Sequence, residues 1–183
     1  MQLADLKALM VRRRDGLSLE GFCADPVIAS LQWPDDVVEQ FLYDHGDNSS
    51  FLQDYRDVDL SRIVWGLEAT PAEELGEMPT GASDHGCIEY YAENPDHWVA
   101  VRHRGIHEGV ARYWEELGTW KRPPVLIDRR LFAPAETGLQ VVEGRTRVGV
   151  LRGRRRQGSF VATEHQTWVG RPATPTAPSR TDS

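Results

Sequence analysis

Apolar residues at positions 3, 6, 9, 10 and 11 recur at helical spacing, predicting a short amphipathic helix over 3–14 that Asp15-Gly16 stops. Trp33-Pro34-Asp35-Asp36 opens a second helix, with Pro and acidic residues in its first turn and Val37, Val38, Phe41 and Leu42 on one face. The polar run 44–50 reads as a loop, and the β-branched and aromatic residues of 58–67 as a strand. Thr70-Pro71-Ala72-Glu73-Glu74-Leu75 predicts a helix with Thr70 as its N-cap. Residues 78–98, rich in Gly, Pro, Asp and aromatics, read as a loop with a short strand at 87–91.

The second half of the chain is patterned more clearly. Residues 107–117 form a helix with Val110, Tyr113, Trp114 and Leu117 on one face and Gly118 as its stop. Pro123-Pro124 leads into a strand at Val125–Asp128, and a second strand at Leu139–Glu143 is closed by Gly144. A helix over 145–157 carries an apolar stripe at 148, 150 and 151, although Gly149 and Gly153 disfavour it. Residues 159–163 and 166–169 predict a final strand or hairpin, and the Pro-, Thr- and Ser-rich stretch 171–183 a disordered tail. Helix, strand, strand, helix, strand is an α/β (α+β) order, with a small mixed sheet and flanking helices.

Composition narrows the class. With 40% hydrophobic residues in 183, the chain can bury a core and is not wholly disordered. No apolar run reaches the roughly 18–20 residues of a membrane span, and the first residues have no apolar signal region. Cys23 and Cys87 form neither a disulfide framework nor a metal pair. A soluble cytoplasmic protein without membrane partners is the expectation.

Charge is unevenly distributed. The net charge is +2 over residues 1–15, −16 over 16–98 and +7 over 99–183. Such asymmetry points to a charged partner or to two regions that attract each other. It divides the chain into an acidic, mainly helical region (1–98), a second domain (99–170) and a tail (171–183).

Glu143-Gly144-Arg145-Thr146-Arg147 lies where a strand meets a helix. A glycine there allows a tight turn and close backbone approach, and the free N–H groups and dipole of a helix start favour a phosphate or other anion. Arg145 or Arg147 would clamp that anion through paired hydrogen bonds. Together with the preceding helix 107–117, Pro123-Pro124 and both strands, this series resembles the ParB/sulfiredoxin-like superfamily over about residues 105–170. Gly144 and Arg147 match the glycine and last arginine of that family's Gly-x-x-Arg element, with Arg145 and Thr146 between them.

The resemblance implies a ParB/sulfiredoxin-like core with a helical acidic N-terminal elaboration. It further implies a nucleotide ligand, a nucleoside triphosphate with Mg²⁺, and a nucleotide-dependent phosphotransferase, nuclease or switch. Glu143 would orient a metal or accept a proton. The chain departs from the family in having no helix-turn-helix after the motif and no Cys after its glycine, which argues against chromosome partition and sulfiredoxin chemistry.

Two other classes of function compete. The acidic 16–98 surface suits an inhibitor- or immunity-type protein that binds a basic partner. Arg152, Arg154, Arg155 and Arg156 suit contacts to nucleic-acid phosphates, although a solvated helix end, where cations complement the dipole, is the favoured reading and docking onto the acidic region a further alternative. His103 and His107, four apart, have metal-binding spacing without a fixed third ligand, and the aspartates at 44, 47, 54, 57 and 59 lack the pattern of a calcium loop.

Overall fold

A computed structural model describes residues 1–102 and 104–173. Four strands, β1 (Ile63–Pro71), β2 (Val125–Asp128), β3 (Leu139–Glu143) and β4 (Glu164–Pro172), form one mixed sheet in the spatial order β1-β4-β2-β3. β4 runs antiparallel to β1 and parallel to β2, while β2 and β3 are antiparallel. The expected α+β architecture with a small mixed sheet is what the chain adopts. One sheet also joins the regions that charge distinguishes, because β1 comes from the acidic segment and β4 from the basic one.

β2 is buried on both faces, so its four residues are apolar apart from Asp128. Val125 and Ile127 point into a core with Val142, Phe22, Phe41, Leu60 and the N-terminal helix residues Leu3, Leu6 and Met10. Leu126 points the other way and meets Val141, Val169, Leu75, Trp114, Val148 and Leu151. The result is three layers: N-terminal helices, sheet, and a second helical layer centred on the helix Arg145–Arg156.

Several local expectations are corrected. Residues 78–98 hold no strand; helices Cys87–Glu93 and Pro95–Ala100 occupy the last part of the stretch. Their partner is the helix Arg145–Arg156, and its two glycines provide the fit. A Cβ on Gly149 would lie 2.8 Å from the Ile88 carbonyl oxygen and against the Tyr91 side chain. A Cβ on Gly153 would collide with the Ala92 carbonyl oxygen and lie 2.9 Å from Pro95 Cγ. The glycines that weaken the helix locally therefore let two backbones touch.

Thr70 is not a cap. It lies buried in β1 with its hydroxyl 2.7 Å from that of Thr167, and the helix Ala72–Glu77 starts after Pro71. Residues 49 and 50 belong to the helix Ser49–Tyr55, which Asn48 caps by accepting from the Ser50 and Phe51 N–H groups. The helix expected over 107–117 begins at Val110 and ends at Gly118 in the left-handed conformation; of its expected apolar face only Trp114 is fully buried. Residues 159–163 are not a strand, and β4 is the single strand that follows the helix Arg145–Arg156 among the described residues. Arg171 and Pro172 belong to β4 rather than to a tail, and 174–183 fall outside the described residues.

Two measurements probe this packing. Gly153→Ala should destabilise the protein by about 1–3 kcal/mol, although alanine favours helices, and urea unfolding would show it as a lower midpoint. His165 is buried beside Trp120, with Nδ1 2.7 Å from the Thr119 hydroxyl. Burial and, less, the Arg155 charge pull its imidazole down to about 4. Its contribution to stability is therefore intact above about pH 6.5, and should fall away as pH drops towards about 4. Melting temperatures recorded across that range should show this loss, and His165→Gln should lack it.

Candidate anion site

Strand β3 delivers Glu143 to the edge of the second helical layer, and Gly144 then turns the chain. Its φ of +98° is left-handed, and a Cβ would run into Pro124, so only glycine suits the position. The helix Arg145–Arg156 starts directly after, and no side chain caps its N-terminus. Its first turn faces a cavity of about 130 Å³. Gln40, Asp44, Arg102, His107, Lys121, Arg122, Glu143, Gly144, Thr146 and Arg147 form its polar wall, and Trp98, Val99, Val110, Trp114 and Val150 its apolar wall.

Glu143 is held by an imidazole and two guanidinium groups. His45 Nε2 lies 3.1 Å from Oε2, and Arg145 and Arg147 each approach the carboxylate at 3.3 Å. Burial alone would raise its pKa, but the His45 hydrogen bond and the charges of Arg147, His45 and Arg145 outweigh it and hold the group at about 2. A carboxylate this acidic is a poor proton acceptor near neutrality, so the geometry makes Glu143 a charge anchor and speaks against its expected role as a base.

Arg147 is fully engaged within the fold. Nη1 donates to the carbonyls of Arg122 (2.8 Å) and Pro123 (3.0 Å), and Nη2 to Gln40 Oε1 (2.7 Å) and Glu143 Oε1. It lines the cavity, but it braces the protein rather than reaching out as a clamp. Arg145 is paired with Asp84 and Glu143. Thr146 accepts a 3.0 Å hydrogen bond from Arg102 Nη2.

The groups left for a ligand come from outside the motif. Among the described residues, the partners of Arg102 are neutral, Thr146 and, at 3.3 Å, His107 Nε2, and its Nε is buried without one. Lys121 donates to the Glu108 carbonyl at 2.9 Å, with no carboxylate paired to it among the described residues. Arg122, by contrast, is neutralised by Asp36 and Glu39. His107 is pushed down by burial and then by Arg102, Arg147, Arg122 and Lys121, which marks the site as electropositive. Lys121 had one visible signal, being one of only two lysines in an arginine-rich chain. Arg102 had none, since chain folding alone brings it to Thr146.

The remaining candidates separate. Arg152 donates to the Gly76 and Met78 carbonyls, Arg154 to the Trp114 carbonyl and Asp96, Arg155 to the Ala72 carbonyl, and Arg156 pairs with Glu89. These guanidinium groups are used within the fold, as the docking alternative expects, and form no open phosphate-binding strip. Asp47 pairs with Arg13 and Arg14, Asp54 accepts from Ser83, and Asp59 binds the terminal amine and Ser61. His103 lies outside the described residues; among those described, no three metal-ligating side chains converge. No helix is long and apolar enough to cross a membrane among them.

Comparison with protein-family models, with curated protein sequences and with solved structures finds no match to this chain.

The Glu143 cluster gives a prediction with a defined sign. Its ionised form is favoured by folding, so its contribution is present above about pH 4.3 and should be lost as pH falls towards about 2. Glu143→Gln should cost roughly 3–5 kcal/mol near neutrality, because it leaves Arg147 buried without its counter-charge. In acid the gap between variant and wild type should close, as denaturant titrations at stepped pH would reveal.

Proposed function

We propose that this protein binds a phosphate-bearing small molecule, a nucleotide or another phosphate ester, in the cavity at the start of the helix Arg145–Arg156. The observation that carries the reading is the convergence of an uncapped helix N-terminus with Arg102 and Lys121, two cations without carboxylate partners among the described residues. The free N–H groups and helix dipole attract an anion. Arg102 supplies guanidinium hydrogen bonds and Lys121 a mobile point charge. Gly144 allows the ligand to approach the backbone. Trp98, Val110 and Trp114 give the non-phosphate part of the ligand an apolar wall.

The donor set fits a phosphate better than the Mg²⁺ that accompanies a nucleoside triphosphate. Magnesium needs oxygen ligands, yet Glu143 is occupied by His45, Arg145 and Arg147. Asp44, the other carboxylate on the wall, has its pKa raised by burial and by Glu39, which disfavours the charge a cation needs. The reading is therefore a binding function, with no chemical step assigned to Glu143.

Thermal melts with inorganic phosphate, ATP, ADP, CTP and GTP, each with and without Mg²⁺, test it. A ligand at a hundred times its dissociation constant should add about 2.7 kcal/mol of stability. Arg102→Met with Lys121→Met should abolish the shift while leaving the unliganded protein folded, and omission of Mg²⁺ should not weaken it. A folded wild type that responds to none of these compounds, or a shift that the double variant retains, would overturn the assignment.

A further inference from the structure

β1 lies at the edge of the sheet, and its register shows which of its backbone groups are free. At one end the Ala173 N–H donates to the Arg62 carbonyl (2.7 Å), and at the other the Ala72 N–H donates to the Thr163 carbonyl (2.9 Å). The intervening pairing with β4 is uninterrupted, so the even-numbered residues exchange hydrogen bonds with β4. The N–H and C=O groups of Trp65, Leu67 and Ala69 consequently point away from β4, along the open side, while the Ile63 N–H on that side already donates to the Leu60 carbonyl.

Proteins normally protect such an edge with lysines, central prolines, bulges, a short strand or a covering element. This strand is nine residues long, and its one proline is its last residue. Its only charge, Glu68, is neutralised by Arg171 at 2.8 Å. Val64 and Leu67 stand 59% and 50% exposed.

We propose that β1 pairs antiparallel with β1 of a second copy of this chain, about a twofold axis through Leu67, so that the two sheets become continuous. The strand is self-complementary about its midpoint, Leu67, which argues for a second copy as occupant and for this register, the one that pairs the strand over its full length. With Leu67 facing Leu67 of the partner subunit, Trp65 faces Ala69, Val64 faces Thr70 and Glu68 faces Gly66. No like charges oppose each other, and Glu68 meets the one residue without a side chain, whose Cβ position has only Glu68 atoms around it. Trp65, Leu67 and Ala69 exchange hydrogen bonds within that pairing, which ends where Ile63 faces Pro71, a residue without an N–H; two half-exposed leucines cover each other. A C-terminal segment of the same chain is a poor alternative occupant, because Pro175 and Pro178 have no N–H for a ladder.

Sedimentation velocity from micromolar to several hundred micromolar should show the wild type as a dimer. Leu67→Lys, which opposes like charges at the axis, should weaken dimerisation by at least about tenfold with an unchanged far-ultraviolet spectrum. In a Cys23→Ser, Cys87→Ser background, Leu67→Cys should oxidise to a covalent dimer, since facing residues of a hydrogen-bonded pair lie about 5.5 Å apart. Gly66→Cys, displaced from its own copy, should not. Amide exchange supplies a separate readout: the N–H groups of Trp65, Leu67 and Ala69 should gain protection as concentration rises. A wild type that stays monomeric throughout would overturn the proposal. So would a dimer indifferent to Leu67→Lys, or edge amides protected in a monomer until the chain is cut after Ala173.

Discussion

The carboxylate of Glu143 is the charge around which the two helical layers are fixed to each other. Taking it out of water is costly, and the cost is met only because His45, Arg145 and Arg147 surround it. Arg147 in turn needs the carbonyls of Arg122 and Pro123 and the side chain of Gln40. Gln40 donates onward to Asp36 and Pro123, and Asp36 also accepts from Arg122 and from the Trp168 indole. This chain of polar contacts runs from the N-terminal helices through the turn at Gly144 to β4. It fixes the direction of the helix Arg145–Arg156, and hence the direction of the N–H groups that line the cavity.

Where one element determines its own conformation, the sequence is a sufficient guide. β2, β3, the turn at Gly144 and the following helix were all legible, because β-branched runs, prolines and a helical stripe at 148, 150 and 151 act locally. Legibility fails where a distant partner decides. Residues 87–93 look like loop or strand, yet they are helical because Ile88 and Ala92 find Gly149 and Gly153 across the interface. Thr70 has the chemistry of a cap but is recruited by Thr167 into the sheet.

The candidate site follows the same rule. Gly144 and the helix start can be read from spacing, and Thr146 lies on the cavity wall. Arg147 cannot be distinguished in sequence from a ligand-binding arginine; the acceptors that occupy it come from residues 40, 122 and 123. The uneven charge finds its account in the same contacts. Asp84, Glu89 and Asp96 from the acidic region meet Arg145, Arg156 and Arg154 from the basic one, so much of the imbalance is internal complementarity. An arginine cluster that invites comparison with nucleic-acid binders is thereby a set of struts.

The order of strands also carries a temporal consequence. β4 lies between β1 and β2, so β1 has no neighbour in the sheet until residues 164–172 exist. On a ribosome moving at about 5–20 residues per second, the first strand waits for several seconds after it emerges. During that interval Ile63 and Trp65 have no β4 to pair with, and loop-closure entropy over about a hundred residues must be overcome before pairing brings any gain. The N-terminal helices, whose residues gather around Phe22, Phe41 and Phe51, can shelter the apolar face of the waiting strand. The acidic region can thus act during synthesis as a scaffold that keeps β1 presentable until its neighbour arrives.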